Sequence, residues 1–313
     1  MEHILSEEVN MKFKIILLWL LLVLFPANPV FAKLNVVATL PWIGSIVNEI
    51  GQDKVNLKVL VKASQDPHYV EAKPSMILAV RKADVLFYNG LDLEIGYLPV
   101  LTESSRNPKI QLGTRGNVDC SQFVDVIEQP TKIDRSMGDV HPYGNPHYHL
   151  SPKNIEKVAL GITQVLSNID TKNADFFKSN MSVFTKKLHE KEAKWRKSEL
   201  KSKKYIAYHK IFEYLADEFN LTIVGYIEPK PGIPPSINHT KRLIDTMNEQ
   251  DVRTVLTTPI YPRKEADFIA EKTNATVIVL PHDVGSMEGI KDWFDLMDTI
   301  LEKISHRKIL WRP

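Results

Sequence analysis

The sequence predicts an α/β protein of two lobes, each built around a parallel sheet, with one long rigid helix joining them. Two observations predict the lobes: short β-branched runs alternate with helical patterns in the first half of the chain, and the same alternation returns in the second half. A third observation predicts the joining helix, because the stretch between the halves contains neither Gly nor Pro.

Eight apolar runs are expected to form the strands. Those of the first lobe are LNVVATL at 34–40, NLKVLVK at 56–62, DVLFYNG at 84–90 and KIQL at 109–112. Those of the second lobe are YIAYH at 205–209, TIVGYI at 222–227, TVLTTP at 254–259 and TVIVLP at 276–281. Because each half alternates such runs with helical patterns, we expect βαβ units and parallel sheets.

The joining helix is predicted over 171–200. Apolar residues recur there at spacings of four, three, four and seven, which places them on one helix face: Phe177, Met181, Phe184, Leu188 and Trp195. A helix of this length spans on the order of 40 Å, enough to cross from one lobe to the other. Pairing with a helix of another chain is the alternative, but one apolar stripe between two sheet domains favours a connector.

These patterns divide the chain into a leader at 1–32, a first lobe at 33–170, the joining helix at 171–200 and a second lobe at 201–313. The 313 residues suffice for two domains, and a composition of 43% hydrophobic and 25% charged residues is typical of a globular protein. Lys and Arg number 40 against 38 Asp and Glu, and the basic residues form no stripe. We therefore expect no nucleic acid as a partner.

The leader has the pattern of a secretory signal peptide. Lys12 and Lys14 precede an apolar run at 15–25, and the segment ends at the small residue Ala32. The run is shorter than the about 20 apolar residues that span a bilayer, although a retained anchor helix is the alternative. An exported lipoprotein has Cys directly after the cleavage site, and here Lys33 occupies that position. We therefore expect a periplasmic protein without a lipid anchor.

Two histidines follow a rigid turn of the same kind. His68 comes after Asp66-Pro67, and His147 comes after Asn145-Pro146. Proline fixes its own φ and the Asx side chain favours a turn, so each imidazole is presented by a stiff backbone.

His209 ends the run YIAYH, and Asp283 follows the run TVIVLP. In open α/β sheets, the ligand site lies at the carboxyl ends of the strands, so these two side chains and His68 and His147 are expected to face one cleft. Three imidazoles and one carboxylate are a full set of ligands for tetrahedral Zn(II).

The remaining histidines are weaker candidates. His149 is placed at the rim of the site or directly behind its ligands, because its nearness to His147 would crowd four ligands, and His141 is placed in a loop. Direct ligation by either is the alternative. Three others are expected to face solvent: His189, His239 and His306.

Five segments resemble one known family. They are VVATLPWIGSIVNEIG at 36–51, DPHYVEAKPSMILAVRKADVLFYNGLDLE at 66–94, GNPHYHLSP at 144–152, AYHKIFEYLADEFNL at 207–221 and VIVLPHDVG at 277–285. Taken together, they make the mature chain, about 34–303, similar to the zinc- and manganese-binding solute-binding proteins of bacterial ABC importers.

The resemblance implies two α/β lobes joined by one long helix, with the metal in the cleft between them. It places the first three ligands on His68, His147 and His209, and the fourth on Asp283, or on His282 if the alignment is made on Gly285. The third family ligand is often Glu in manganese-selective members and His in zinc-selective ones. His209 therefore implies Zn(II) as the bound cargo, with Mn(II) possible.

We expect a non-enzymatic, high-affinity Zn(II)-binding protein that delivers metal to an ABC importer. The resemblance implies an inner-membrane permease with its cytoplasmic ATPase as partners, and a monomer. The alternatives are a Mn(II)-binding importer component, a secreted zinc-dependent hydrolase and a metal-binding adhesin. Four protein ligands favour carriage over catalysis, because catalytic zinc keeps a position open for water, and the sequence contains no HExxH.

Overall fold

The computed structural model describes residues 33–130 and 141–305, and within them two four-stranded parallel sheets. The first sheet has the order β2-β1-β3-β4, with strands β1 (Leu34–Ala38), β2 (Val55–Val59), β3 (Val85–Tyr88) and β4 (Asn117–Asp119). The second has the order β6-β5-β7-β8, with β5 (Lys204–Ala207), β6 (Thr222–Tyr226), β7 (Thr254–Thr257) and β8 (Thr276–Val279). The predicted α/β fold with two parallel sheets is confirmed.

Nine α-helices surround the sheets in the described residues. They are α1 (Pro41–Gly51), α2 (Pro74–Arg81), α3 (Leu98–Ser105), α4 (Pro152–Ile169), α5 (Ala174–Trp195), α6 (Glu213–Phe219), α7 (Ile237–Glu249), α8 (Arg263–Thr273) and α9 (Trp293–Ile304). Proline stands at the first turn of α1, α2, α3 and α4, where its missing N–H costs no hydrogen bond.

One predicted strand is wrong. The run KIQL at 109–112 begins inside a short 3-10 helix, Pro108–Ile110, and the fourth strand of the first sheet follows it at β4. Asn107 begins the 3-10 helix, because its side chain accepts a hydrogen bond from the backbone N–H of Lys109 at 3.0 Å. This Asx-Pro turn outweighs the strand propensity of a four-residue apolar run.

Helix α5 occupies most of the segment predicted to join the lobes, after a 3-10 turn at Thr171–Asn173. All five residues of its predicted apolar face are buried. The Asn180 amide donates a hydrogen bond to the Ile50 carbonyl of α1 at 2.9 Å. At the far end of the helix, the Trp195 indole N–H donates to Asp298 of α9 at 2.7 Å. One helix thus contacts both α1, near the start of the chain, and α9, near its end.

The two sheets share a continuous apolar core, which includes Phe87 in the first sheet and Leu256 in the second. Helix α6 follows β5 and packs against the segment that precedes α4. The Tyr214 hydroxyl donates to the Asn145 carbonyl at 2.9 Å, and the Ser151 hydroxyl donates to Glu218 at 2.6 Å. These contacts bring the histidine-containing segment 141–151 against the carboxyl end of β5.

Candidate metal centre

His68 lies in a 3-10 helix, Pro67–Tyr69, that begins at Asp66. One carboxylate oxygen of Asp66 accepts the backbone N–H of His68 at 3.0 Å and lies 2.6 Å from its ring atom Nδ1. With the Nδ1 hydrogen donated to this carboxylate, the lone pair of Nε2 is available to a metal.

His147 is positioned by a turn of the same design. The Asn145 side-chain oxygen accepts the backbone N–H of His147 at 2.9 Å, and Pro146 lies between them. The imidazole is 4% exposed, and its Nε2 has no hydrogen-bond partner within the described residues. A buried ring nitrogen without a partner is costly unless a bound ion satisfies it.

His209 lies two residues beyond the end of β5. Its Nδ1 is 2.7 Å from a carboxylate oxygen of Glu228, which follows β6, the neighbouring strand. The carboxyl ends of adjacent parallel strands meet at one edge of a sheet, so the sheet itself pairs this imidazole with its carboxylate. As at His68, this hydrogen bond leaves the lone pair of Nε2 available to a metal.

The three imidazoles converge. One nitrogen from each of His68, His147 and His209 lies within 4.8 Å of the other two. Their ring centroids are 5.4, 5.4 and 5.6 Å apart. In the part of the chain that the structure describes, this is the one group of three or more His, Cys, Asp or Glu residues with such spacing.

The environment of His147 favours neutral imidazole. Burial holds the pKa of His147 well below its usual value, and the neighbouring His68 and His209 lower it further, because a second positive charge would be repelled. Neutral imidazole is the form that binds metal, so the site competes well with protons.

Asp283 lies outside the group of three. It is 7% exposed, and one of its oxygens accepts the backbone N–H of Val284 at 2.6 Å. Burial raises its pKa to about 8. Asp283 and His282 line a cavity of about 20 Å³ together with His68 and His147, which is room for about one water molecule. Ligation by Asp283, or by His282, stays a prediction.

His149 lies behind the group of three imidazoles, with its ring centroid 6.3 Å from that of His147. It is 5% exposed and stacks on Trp42, with ring centroids 5.8 Å apart and planes 15° apart. Its Nε2 lies 2.9 Å from the carbonyl oxygen of His282. The side chain thus packs in the core and joins the segment 145–151 to the loop after β8.

His141 is nearer the group than a loop position suggested. Its Nε2 lies 3.1 Å from Nε2 of His68, and their ring centroids are 5.1 Å apart. This contact could not be predicted from the sequence, because 73 residues separate the two histidines and no predicted element includes His141. Of the three histidines expected to face solvent, His189 has a side chain 58% exposed, His239 donates a hydrogen bond to the Tyr226 carbonyl, and His306 lies outside the described residues.

The family model described as "Zinc-uptake complex component A periplasmic" (ZnuA) matches residues 36–307. The chain belongs to this family. Members are substrate-binding proteins of metal ABC transporters, not enzymes, and they work with a membrane permease and an ATPase. The family predicted from the sequence is therefore confirmed.

Several relatives are similar along most of the chain. The metal ABC transporter substrate-binding lipoprotein ScbA of Streptococcus cristatus is 28% identical over 88% of this chain and 88% of its own. The corresponding lipoprotein of Lactococcus lactis is 32% identical, over 77% and 81%. The manganese ABC transporter substrate-binding lipoprotein PsaA of Streptococcus mitis is 26% identical, over 87% and 88%.

Solved structures share the fold. A crystal structure of ZnuA superposes with a TM-score of 0.74 at 26% identity, covering 87% of this chain and 98% of the other. A ZnuA mutant lacking residues 138–173 of its own numbering, with zinc bound, gives 0.73 at 25% identity, covering 88% and 100%.

The prediction that the protein has no lipid anchor is wrong, because the Streptococcus and Lactococcus relatives described above are named lipoproteins. That prediction used only Lys33 and the leader, and residues 1–32 lie outside the described part of the chain. A lipid attached at a chain terminus leaves no mark in the folded lobes, so neither the sheets nor the core test it. A location outside the cytoplasm fits the family. Within the described residues, no helix has the length and apolar character to cross a bilayer.

Proposed function

We propose that this metal importer component captures Zn(II) outside the cytoplasm and delivers it to its permease. The observation that supports zinc is the group of three imidazoles, each with a nitrogen within 4.8 Å of the others. Imidazole nitrogen suits Zn(II), whereas Mn(II) prefers carboxylate and other oxygen ligands.

The carboxylates nearest the group support the same choice. Asp66 and Glu228 already accept hydrogen bonds from Nδ1 of His68 and His209, at 2.6 and 2.7 Å. They act on the metal through the imidazoles, because they fix which nitrogen is free and make it more basic. A carboxylate used in this way is not a direct oxygen ligand for Mn(II).

We propose that the metal binds between two lobes whose limits follow the elements. The first lobe includes β1 to β4 and supplies His68 and His147, and the second includes β5 to β8 and supplies His209. Helix α5 joins them and contacts α1 and α9, so large lobe rotation would break buried contacts at Phe184 and Trp195. Metal release would then proceed with small movements of the site loops.

Mn(II) is the second candidate cargo, because relatives of similar identity are named manganese transporter components. Growth experiments separate the two metals. A strain lacking this protein should grow poorly when zinc is scarce, and wild-type protein but not the His147→Ala variant should restore growth. A strain that grows normally on scarce zinc and poorly on scarce manganese would overturn the zinc assignment.

A further inference from the structure

His141 places a fourth ring nitrogen beside one member of the group of three imidazoles, His68. Its Nε2 is 3.1 Å from Nε2 of His68, and its ring centroid is 6.4 Å from that of His147. No carboxylate oxygen in the described residues joins the three imidazoles within 4.8 Å. No nitrogen of His141 lies within 4.8 Å of all three either, and of the three its close contact is with His68 alone.

The separation of the two Nε2 atoms fits a shared metal. In a tetrahedral site with Zn–N bonds of about 2.0–2.1 Å, two ligand nitrogens lie about 3.3–3.4 Å apart. Because Asp66 accepts the Nδ1 proton of His68, the Nε2 atom of His68 presents a lone pair towards His141. To bind one metal ion, the two Nε2 atoms need to move apart by only a few tenths of an ångström.

His141 is held in place by its own turn. The Gly144 N–H donates to the His141 carbonyl at 3.2 Å, and Pro142 lies at the second position of this four-residue turn. Gly144 has a φ of +116°, and a Cβ there would lie 2.3 Å from Val126 and 2.8 Å from the Ile127 carbonyl. Only glycine lets the turn approach Val126 so closely.

The same anchored segment thus presents two imidazoles. The Asn145 N–H donates to the Ile127 carbonyl at 3.0 Å, directly after the turn that holds His141 and directly before the turn that holds His147. The residues between the two histidines are therefore tied to the backbone of Ile127 by one hydrogen bond.

We propose that His141 is the fourth ligand of the cargo metal and makes the site one of four imidazoles. This inference rests on the proposed function, since it names a ligand for the same ion. A fourth nitrogen donor in place of a carboxylate raises the preference for Zn(II) over Mn(II). Asp283 and a water molecule are the alternative fourth ligands.

X-ray absorption of the zinc-loaded full-length protein tests this directly, because it counts imidazole ligands at the metal. We expect four imidazoles in the wild type, and three imidazoles with one oxygen in His141→Ala. The spectrum of Asp283→Asn should match that of the wild type. Three imidazoles and one oxygen in the wild type would overturn the inference.

Titration with zinc alone supplies the second readout. We expect His141→Ala to weaken zinc binding at least about tenfold, since removing even an outer hydrogen-bond partner of a ligand typically costs about 10–100-fold. His189→Ala, on the exposed face of α5, is the matched control and should bind as the wild type does. Equal affinity in His141→Ala and His189→Ala would contradict the inference.

The two proposals fail in different ways. A wild type that binds no zinc removes the proposed function and this inference together. A wild type that binds zinc tightly through three imidazoles and an oxygen leaves the proposed function standing and removes only the role of His141.

Discussion

Two Asx-Pro-His turns determine the site at the scale of single residues. Asp66 and Asn145 both accept the N–H of the histidine two residues later, at 3.0 and 2.9 Å. Proline between them limits the backbone, so each imidazole is held before a metal arrives. A site that is already in place loses little entropy on binding, which favours high affinity.

His147 and His149 differ in a way that bears on mutagenesis. His147 has a buried Nε2 without a partner in the described residues, whereas His149, two residues on, has its Nε2 against the His282 carbonyl. We predict that His147→Ala weakens zinc binding by more than about 100-fold, the upper range for losing an outer partner of a ligand, and that His149→Ala has a smaller effect. Isothermal titration with zinc checks this. Equal losses in the two variants would show that the wrong imidazole was chosen.

These residues show what sequence could and could not predict about the site. The Asx-Pro dipeptides and the strand ends predicted His68, His147 and His209, because local turn chemistry and sheet topology are both encoded nearby. The sequence did not identify Asp66 and Glu228 as the carboxylates that accept hydrogen bonds from His68 and His209, although Asp66 belongs to the Asx-Pro turn. His141 could not be placed, because its contact depends on the packing of a loop with no periodic pattern.

At the scale of elements, seven of the eight predicted strands match observed strands, and the exception is KIQL. The seven are apolar runs that alternate with helical patterns, and this alternation is a strong signal for parallel strands. KIQL is short and follows Asn107-Pro108, and the cap at Asn107 turns it into a 3-10 helix. Local capping decided the outcome where the apolar pattern was weak.

Helix α5 offers a direct test of packing. Phe184 is 1% exposed and its ring centroid is 5.2 Å from that of Phe294 on α9, while the adjacent Val183 is 65% exposed. We predict that Phe184→Ala lowers the free energy of unfolding by about 3–5 kcal/mol, because it leaves a cavity in the core. Urea denaturation measures this change. Val183→Ala is the matched control and should change the free energy by less than about 0.5 kcal/mol; similar losses would mean that the helix face is misassigned.

At the scale of the whole molecule, the two lobes meet at a partly buried polar cluster beside the group of three imidazoles. The Asn145 amide donates to Glu213 of α6 at 3.3 Å, and the Tyr226 hydroxyl donates to the same carboxyl group at 2.6 Å. Burial raises the pKa of Glu213 to about 7, and the nearby Glu128 carboxylate raises it further. The folded protein therefore favours the protonated form of Glu213.

This shift sets a direction for stability against pH. The folded-state pKa of Glu213, about 7, lies above the ordinary value of 4.5, so its contribution to stability is full below pH 4.5 and is lost as the pH rises through 7. Glu213→Gln mimics the protonated form. We predict that wild type loses about 1–3 kcal/mol more unfolding free energy than this variant between acidic and alkaline conditions. Urea denaturation measures this difference at pH 4.5, below the folded-state pKa of about 7, and at pH 8, above it. Parallel losses in the two proteins would contradict the assignment.

The central claim is that a cluster of imidazoles between the lobes selects zinc. Almost any site of this kind binds Zn(II) more tightly than Mn(II), so the affinity ratio of the wild type alone is a weak test. The change in that ratio when one imidazole becomes a carboxylate is a strong one, because it isolates the ligand.

Competitive titration of zinc against manganese, in the wild type and in His209→Glu, is therefore the most direct measurement. The account predicts that the ratio of zinc to manganese affinity falls at least about tenfold in the variant, as an oxygen ligand replaces nitrogen. A ratio that stays the same, or a wild type that binds manganese as tightly as zinc, would contradict it.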